Sequence, residues 1–144
     1  MRAAAIQLEA VPADVDANLA ATERLVGQAA AAGATVIAMP EFFTTGIGFL
    51  PELADAALPP EGKATELLLS LAQRHGALIG GSLLARDADG HVRNAYLVVT
   101  ADGVVGRHDK DLPTMWENAF YIGGHDDGVI AAGNVTVGVA HPSR

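Results

Sequence analysis

The order of apolar and polar positions predicts alternating strands and helices in the first part of the chain. Ala3–Leu8 is apolar apart from one glutamine, which favours a buried strand. Large apolar residues recur at helical spacing on an alanine background between Asn18 and Ala32, and Gly33 is placed to end that helix. Ala34–Met39 carries a β-branched run typical of a second strand. A strand, a helix and a strand in this order form a βαβ unit, which implies parallel strands.

The pattern changes after a loop rich in glycine and proline, which we place at Thr44–Pro60. An apolar stripe predicts a second helix over Glu61–His75. Three strand-like runs follow, and the short segments between them contain Asp-Gly pairs: Ala77–Arg86, His91–Thr100 and Val104–His108. Because Asp-Gly turns between such runs are strong hairpin signals, we expect an antiparallel meander.

The last part of the chain begins with an irregular stretch, Asp111–Gly128, and ends with two more predicted strands, Val129–Ala132 and Val135–Ala140. Parallel strands followed by an antiparallel meander predict the α/β class with a mixed β-sheet. No internal repeat or linker divides the chain, so we treat residues 1–144 as one unit.

Composition supports a globular domain and excludes some partners. Half of the 144 residues are hydrophobic and 18% are charged, which is enough apolar surface for a core. The net charge of -8 argues against nucleic-acid binding, since phosphate contacts need clustered basic residues. No uninterrupted apolar stretch is long enough to cross a membrane, so we expect no membrane partner. The apolar run Met1–Leu8 is too short for a signal-peptide core, which makes a cytoplasmic location the default expectation.

The sequence contains no cysteine. This excludes disulfides, thiolate metal sites and cysteine catalysis within these residues.

Glu41 comes directly after the second predicted strand. In parallel α/β sheets ligands bind outside the carboxyl ends of the strands, so a carboxylate there is well placed for catalysis. The preceding Pro40 removes a backbone donor and fixes the chain as it leaves the sheet. The alternative is that Glu41 caps a loop or faces solvent.

Two further charged residues follow the predicted meander. Lys110 lies in the polar run Arg107–Asp111, where an ammonium group could stabilise a tetrahedral intermediate or pair with Glu41. Taken alone, a solvated charge run at the end of a hairpin is the simpler interpretation. Glu117 lies among aromatic residues, and is either a pocket residue or an ordinary loop acid.

Together, the segments Met39–Phe42 and Gly106–Lys110 make this chain resemble a nitrilase-type carbon–nitrogen hydrolase. In that family the first glutamate follows a strand in a Pro-Glu-aromatic context, and the lysine follows a basic stretch after a hairpin. The opening strand, Ala4–Leu8, is also similar to the start of the family. The resemblance covers nearly the whole chain and implies the N-terminal half of a four-layer αββα sandwich.

The resemblance also implies a mechanism. Glu41 would take the proton of a cysteine nucleophile, and Lys110 would stabilise the charged intermediate. Glu117 would orient the substrate or assist proton transfer. The substrate would be a small nitrile or amide with a non-peptide C–N bond, and this chemistry requires neither a cofactor nor a metal.

The chain departs from the family where the nucleophile belongs. Thr136–Ala140 resembles the strand that leads to the cysteine, and this alignment puts the cysteine at the position of Pro142. Ser143 is one residue off, and a hydroxyl needs a much stronger base than a thiol. We therefore expect a domain cut short before its nucleophile and inactive by itself.

Other catalytic signatures are weak. Gly80–Ser82 lacks the glycine that would complete a nucleophile elbow. The adjacent histidines and aspartates at 108–111 and 125–127 are poor candidates for a metal site, because neighbouring residues seldom converge on one ion.

Three functional hypotheses follow. The chain is a truncated carbon–nitrogen hydrolase, a non-catalytic module that binds small amides or carboxylates, or an assembly fragment. An assembly fragment would form a homo-oligomer or pair with a complementing chain, because a missing layer leaves apolar surface exposed. The first and third hypotheses are compatible, and we favour their combination.

Overall fold

A computed structural model describes residues 1–48 and 50–140. The α-helices are α1 (Val15–Ala31), α2 (Glu52–Asp55) and α3 (Lys63–His75). The strands are β1 (Ala3–Ala5), β2 (Val36–Ala38), β3 (Leu78–Arg86), β4 (Val92–Thr100), β5 (Gly103–Asp109), β6 (Val129–Ala132) and β7 (Val135–Gly138). A 3-10 helix spans Met115–Ala119. Pro142 and Ser143, on which the expected absence of a nucleophile rests, lie outside the described residues.

Five strands form one mixed sheet in the order β1-β2-β3-β4-β5. The pairs β1/β2 and β2/β3 are parallel, whereas β3/β4 and β4/β5 are antiparallel. This arrangement confirms the predicted α/β class, the βαβ unit and the meander. Strands β6 and β7 pair antiparallel with each other in a separate two-stranded sheet.

Helix α1 ends at the predicted glycine. Gly33 has φ +87°, a left-handed conformation that costs glycine little. Its N–H donates to Ala30, and the N–H of Ala34 donates to Ala29. These two bonds form a Schellman motif, which satisfies carbonyls at the helix end and turns the chain toward β2.

Helices α1 and α3 cover one face of the sheet. Their apolar residues, such as Val26 and Leu71, pack against the strand residues Ile37, Ile79 and Val99. All five of these side chains are fully buried. This main core fixes the strands whose ends carry the charged residues of interest.

The opposite face is only partly covered. The β6–β7 hairpin packs Ile130 against Val98 and lies so close to β5 that a Cβ on Gly106 would be 2.4 Å from Ile130. Because Ala4 packs toward the helices, its neighbours Ala3 and Ala5 point to this second face, and both are exposed. That a second sheet covers this face, as an αββα sandwich requires, stays a prediction.

Several boundaries differ from the sequence-based expectation. Strand β1 ends at Ala5 rather than at Leu8, because its partner β2 is only three residues long before the chain turns at Pro40. The predicted loop contains the short helix α2, and the predicted irregular stretch contains the 3-10 helix. Among the described residues, no helix is long and apolar enough to cross a membrane.

Candidate active site

The three predicted site residues meet at one end of the sheet. Glu41 follows the carboxyl end of β2, and Lys110 follows the carboxyl end of β5. Because β5 runs antiparallel to β4 and parallel to β2, the carboxyl ends of β2 and β5 lie at the same edge. The 3-10 helix then brings Glu117 back over this edge.

Lys110 lies between two carboxylates. Its Nζ is 3.4 Å from Oε1 of Glu41, and 3.0 and 2.9 Å from the two oxygens of Glu117. The Lys110 and Glu117 side chains are 7% and 5% exposed, whereas that of Glu41 is 32% exposed. Glu117 and Lys110 thus form a buried ion pair, and Glu41 is the member of the cluster that solvent reaches.

Glu117 is held as an anion by its own helix. It is the third residue of the 3-10 helix and forms a capping box with Thr114, whose N–H and hydroxyl both donate to Oε2 at 2.6 Å. Burial alone would raise the pKa of Glu117, but the bonds from Thr114 and Lys110 outweigh it and lower the pKa to about 2. The carboxylate therefore stays charged at neutral pH.

Glu41 is positioned by polar groups on the sheet. Nδ2 of Asn94, on β4, donates to Oε1 of Glu41 at 2.6 Å. Oδ1 of Asn94 accepts from the hydroxyl of Ser82, on β3, at 2.7 Å. Asn94 and Ser82 are fully buried. The carboxylate that begins the loop after β2 is thereby tied to the two adjacent strands.

The backbone around Glu41 is tightly constrained. Phe42 has φ +53°, a left-handed conformation that is rare for a bulky side chain, and its N–H donates to Oγ of Ser82 at 3.1 Å. Gly81 lets this loop approach β3, since a Cβ there would lie 2.9 Å from Cβ of Met39 and 3.1 Å from the ring of Phe43. The loop conformation is thus held by contacts with β3.

The polar run before Lys110 divides between two faces of β5. Arg107 pairs with Asp109 at 2.7 Å and makes two bonds of 2.8 Å to Asp87 on one side. His108 is buried and contacts the Asp126 carboxylate through Nδ1. Lys110 is also buried, so the interpretation of this run as a solvated charge cluster is wrong for these two residues.

Tyr121 adds a buried hydroxyl beside the cluster. It is 4% exposed and its ring packs edge-on against Phe42. Its hydroxyl has no hydrogen-bond partner of good geometry among the described residues, although Glu117 and Asn94 are its polar neighbours. Burial raises the pKa of Tyr121, and the charge of Glu117 raises it further, so the phenol stays protonated.

The candidate metal ligands of the sequence do not converge. Within residues 1–48 and 50–140, histidine, aspartate and glutamate side chains form no group of three or more that would hold a metal ion. His108 and Asp126 pair with each other instead.

The residues that position the cluster were not predicted from the sequence. Thr114 was detectable, because Thr114–Glu117 matches the Thr-x-x-Glu signature of a capping box. Asn94 gave a weaker signal, as an asparagine within a β-branched and apolar strand, where this residue type is depleted. Ser82 and Tyr121 carry no sequence signal that separates them from ordinary strand and loop residues.

Comparison with known proteins identifies relatives in sequence. The model of the carbon–nitrogen hydrolase family matches residues 2–140. An aliphatic nitrilase of Sinorhizobium fredii (strain HH103) is 34% identical over 131 residues, covering 78% of this chain and 42% of that protein. An omega-amidase of Yersinia enterocolitica is 44% identical over 75 residues, covering 52% of this chain and 28% of that protein. A nitrilase of Pyrococcus abyssi is 28% identical over 144 residues, covering 96% of this chain and 54% of that protein. The chain thus spans about half or less of the length of these relatives.

Solved structures share the fold. A carbon–nitrogen hydrolase superfamily protein from Xanthomonas campestris superposes with a TM-score of 0.81 at 25% identity, covering 91% of this chain and 49% of that chain. An amidase from Nesterenkonia sp. superposes with a TM-score of 0.81 at 22% identity, covering 94% of this chain and 53% of that chain. With the family model matching nearly all of its residues, the chain belongs to the carbon–nitrogen hydrolase family.

Proposed function

We propose that this chain supplies the base, the cation and the anchoring carboxylate of a site that hydrolyses non-peptide C–N bonds of small nitriles or amides. We also propose that it does not complete the reaction alone, because its sequence has no thiol. The observation that carries the proposal is the position of Lys110 Nζ, 3.4 Å from Glu41 and 2.9 Å from Glu117 at one end of the sheet.

The three residues take different roles. Glu41 is partly exposed, so it can reach a nucleophile and serves as the general base. Lys110 is a fixed positive charge and stabilises the oxyanion that forms when the substrate carbonyl is attacked. Glu117 holds Lys110 in place through the buried ion pair. With its pKa lowered to about 2, Glu117 is a poor proton carrier at neutral pH, which favours orientation over proton transfer for this residue.

The proposed amide reaction runs in two halves. Glu41 takes the proton of a thiol, the thiolate adds to the carbonyl carbon, and Lys110 faces the resulting oxyanion. The C–N bond then breaks as the proton passes from Glu41 to the departing amine, which leaves a thioester. Glu41 next deprotonates a water molecule, whose attack releases the acid and returns the proton to the thiol.

Turnover measurements test this proposal. The resemblance assigns the thiol to position 142, so the informative variant is Pro142→Cys in the same chain. The parent chain is expected to release no ammonia from a panel of small nitriles and amides. Pro142→Cys is expected to gain hydrolysis or a single acylation event, and Glu41→Gln or Lys110→Met in that background is expected to remove it. A parent chain that turns over substrate would contradict the requirement for a thiol.

A second candidate function is assembly. The exposed Ala3 and Ala5 mark the sheet face that the β6–β7 hairpin leaves open, and Met115 and Val129 are large apolar side chains that are 89% and 60% exposed. Such surface favours self-association or pairing with a complementing chain that carries the remaining layers.

A further inference from the structure

We propose that Asn94 is a positioning residue for Glu41, and that Ser82 in turn fixes the orientation of the Asn94 amide. This inference deepens the proposed function, since it rests on Glu41 acting as the base. It concerns two side chains that project from the middle of the sheet rather than from the loops that carry the three charged residues.

These contacts form a chain of three hydrogen bonds, which we call the relay. The N–H of Phe42 donates to Oγ of Ser82 at 3.1 Å, and the Ser82 hydroxyl donates to Oδ1 of Asn94 at 2.7 Å. Nδ2 of Asn94 then donates to Oε1 of Glu41 at 2.6 Å. The relay starts at the backbone of the residue after Glu41 and ends on the Glu41 side chain. It therefore fixes the carboxylate relative to its own main chain.

The donor directions in this relay are determined by chemistry. The Ser82 oxygen already accepts the Phe42 N–H, so its single proton goes to the other neighbour, Asn94. An amide that accepts at Oδ1 presents its NH₂ group on the other side, toward Glu41. In the flipped amide Oδ1 would face Oε1 of Glu41, and that contact would have no proton to share, since an ionised carboxylate only accepts.

The strand register places the two residues on one surface. Ser82 pairs with Tyr96, and Asn94 lies two residues before Tyr96 on β4, so Ser82 and Asn94 are diagonal neighbours on the same face. Both are fully buried, and burying polar side chains is unfavourable unless they are hydrogen-bonded. Apolar side chains at both positions would be compatible with the pairing of β3 and β4. They would leave the Phe42 N–H and Glu41 without these partners.

The relay suits the task of a general base. Oε1 of Glu41 accepts from both Asn94 and Lys110, which fixes the position of this oxygen. A neutral amide donor adds no charge that would compete with Lys110. Bond donation to the ionised form favours the carboxylate over the acid. Asn94 thus holds Oε1 of Glu41 in position before any substrate arrives.

The test is a titration of Glu41 by NMR in the parent chain, with carboxyl carbons labelled and the Glu41 signal assigned from Glu41→Gln. Asn94→Leu removes the donor and keeps similar volume, and it is expected to raise the measured pKa of Glu41 by about one unit. Ser82→Ala keeps the Asn94 donor but removes the hydroxyl that orients its amide. This variant is expected to shift the pKa of Glu41 in the same direction by a smaller amount. Ser82→Ala should also speed hydrogen exchange of the Asn94 side-chain amide.

A matched control separates positioning from loss of stability. Leu71→Ala truncates a buried side chain of α3 that makes none of these hydrogen bonds, and it is expected to leave the Glu41 titration unchanged. The proposal is overturned when Asn94→Leu shifts Glu41 no more than Leu71→Ala does. If Asn94→Leu does not fold, Ser82→Ala decides by the same comparison. No turnover is measured, so failure here is distinct from failure of the proposed function.

Discussion

At the scale of single residues, the charged cluster depends on the buried pair of Lys110 and Glu117. Removing one partner of a buried ion pair leaves an uncompensated charge in a poorly solvated place, which is more costly than losing an exposed pair. The chain offers both kinds. Lys110 and Glu117 are nearly buried, whereas Lys63 and Asp16 pair on the surface with side chains 47% and 84% exposed.

Replacing each lysine compares the two pairs directly. Lys110→Met is expected to lower the free energy of unfolding by about 3–5 kcal/mol, because Glu117 stays charged and buried. Lys63→Met is expected to change it by less than about 1 kcal/mol. Urea denaturation at neutral pH measures both values. Equal effects of the two substitutions would contradict the buried character of the first pair.

Glu117 also predicts a specific dependence of stability on pH. Its pKa in the folded chain is lowered from 4.5 to about 2, so its contribution is full above about pH 4.5 and is lost as the pH falls toward 2. Glu117→Gln is therefore expected to be less stable than the parent by about 2 kcal/mol at pH 6, and this difference should nearly vanish at pH 2.

Urea denaturation across this pH range measures the difference, and Glu9→Gln serves as the control because Glu9 is an exposed loop carboxylate. The control is expected to match the parent within about 0.5 kcal/mol throughout. A gap between Glu117→Gln and the parent that stays constant down to pH 2 would show that the charge of Glu117 is not what stabilises the fold.

At the scale of elements, the loop after β2 is positioned by its close approach to β3. Gly81→Ala places a methyl group against Met39 and the Phe43 ring, with contacts of 2.9 and 3.1 Å, and both neighbours are buried in the main core. We expect a loss of about 1–3 kcal/mol and a displaced Glu41. Gly27→Ala, in α1, meets nothing within 4 Å and is expected to stabilise the chain by about 0.5–1 kcal/mol. Thermal unfolding of both variants checks the opposite signs.

Elements with strong local signals were predictable from the sequence. The meander followed from its Asp-Gly turns, and the end of α1 followed from Gly33, which adopts the left-handed conformation expected there. Glu41 was placed correctly at a strand end because position relative to a strand is local information. The 3-10 helix was missed, although its capping box was present in the sequence.

The rest depends on contacts between distant residues. Glu41 and Lys110 are 69 positions apart, and only the strand order places them together. Asn94 and Ser82 acquire their roles from the register of β3 against β4, which alternation alone does not set. The burial of Lys110 likewise results from Glu117 and the 3-10 helix above it, not from the polar run in which it lies.

At the scale of the whole molecule, the open sheet face predicts association. Light scattering of the purified chain is expected to give a mass above that of a 14.8 kDa monomer, or a monomer that forms a defined complex with a complementing half-domain. Replacing Ala5 with lysine on the open face is expected to weaken either form of association. A monodisperse monomer that binds no such partner would contradict the assembly proposal.

The proposed function requires that the charged cluster at the sheet end activates a thiol for attack on carbon. The most direct measurement is mass spectrometry of the covalent adduct that Pro142→Cys forms with acrylamide, followed over time at neutral pH. We expect modification faster than that of free cysteine under the same conditions, and a marked slowing when Glu41→Gln is added. Modification at the rate of free cysteine, unchanged by Glu41→Gln, would contradict it.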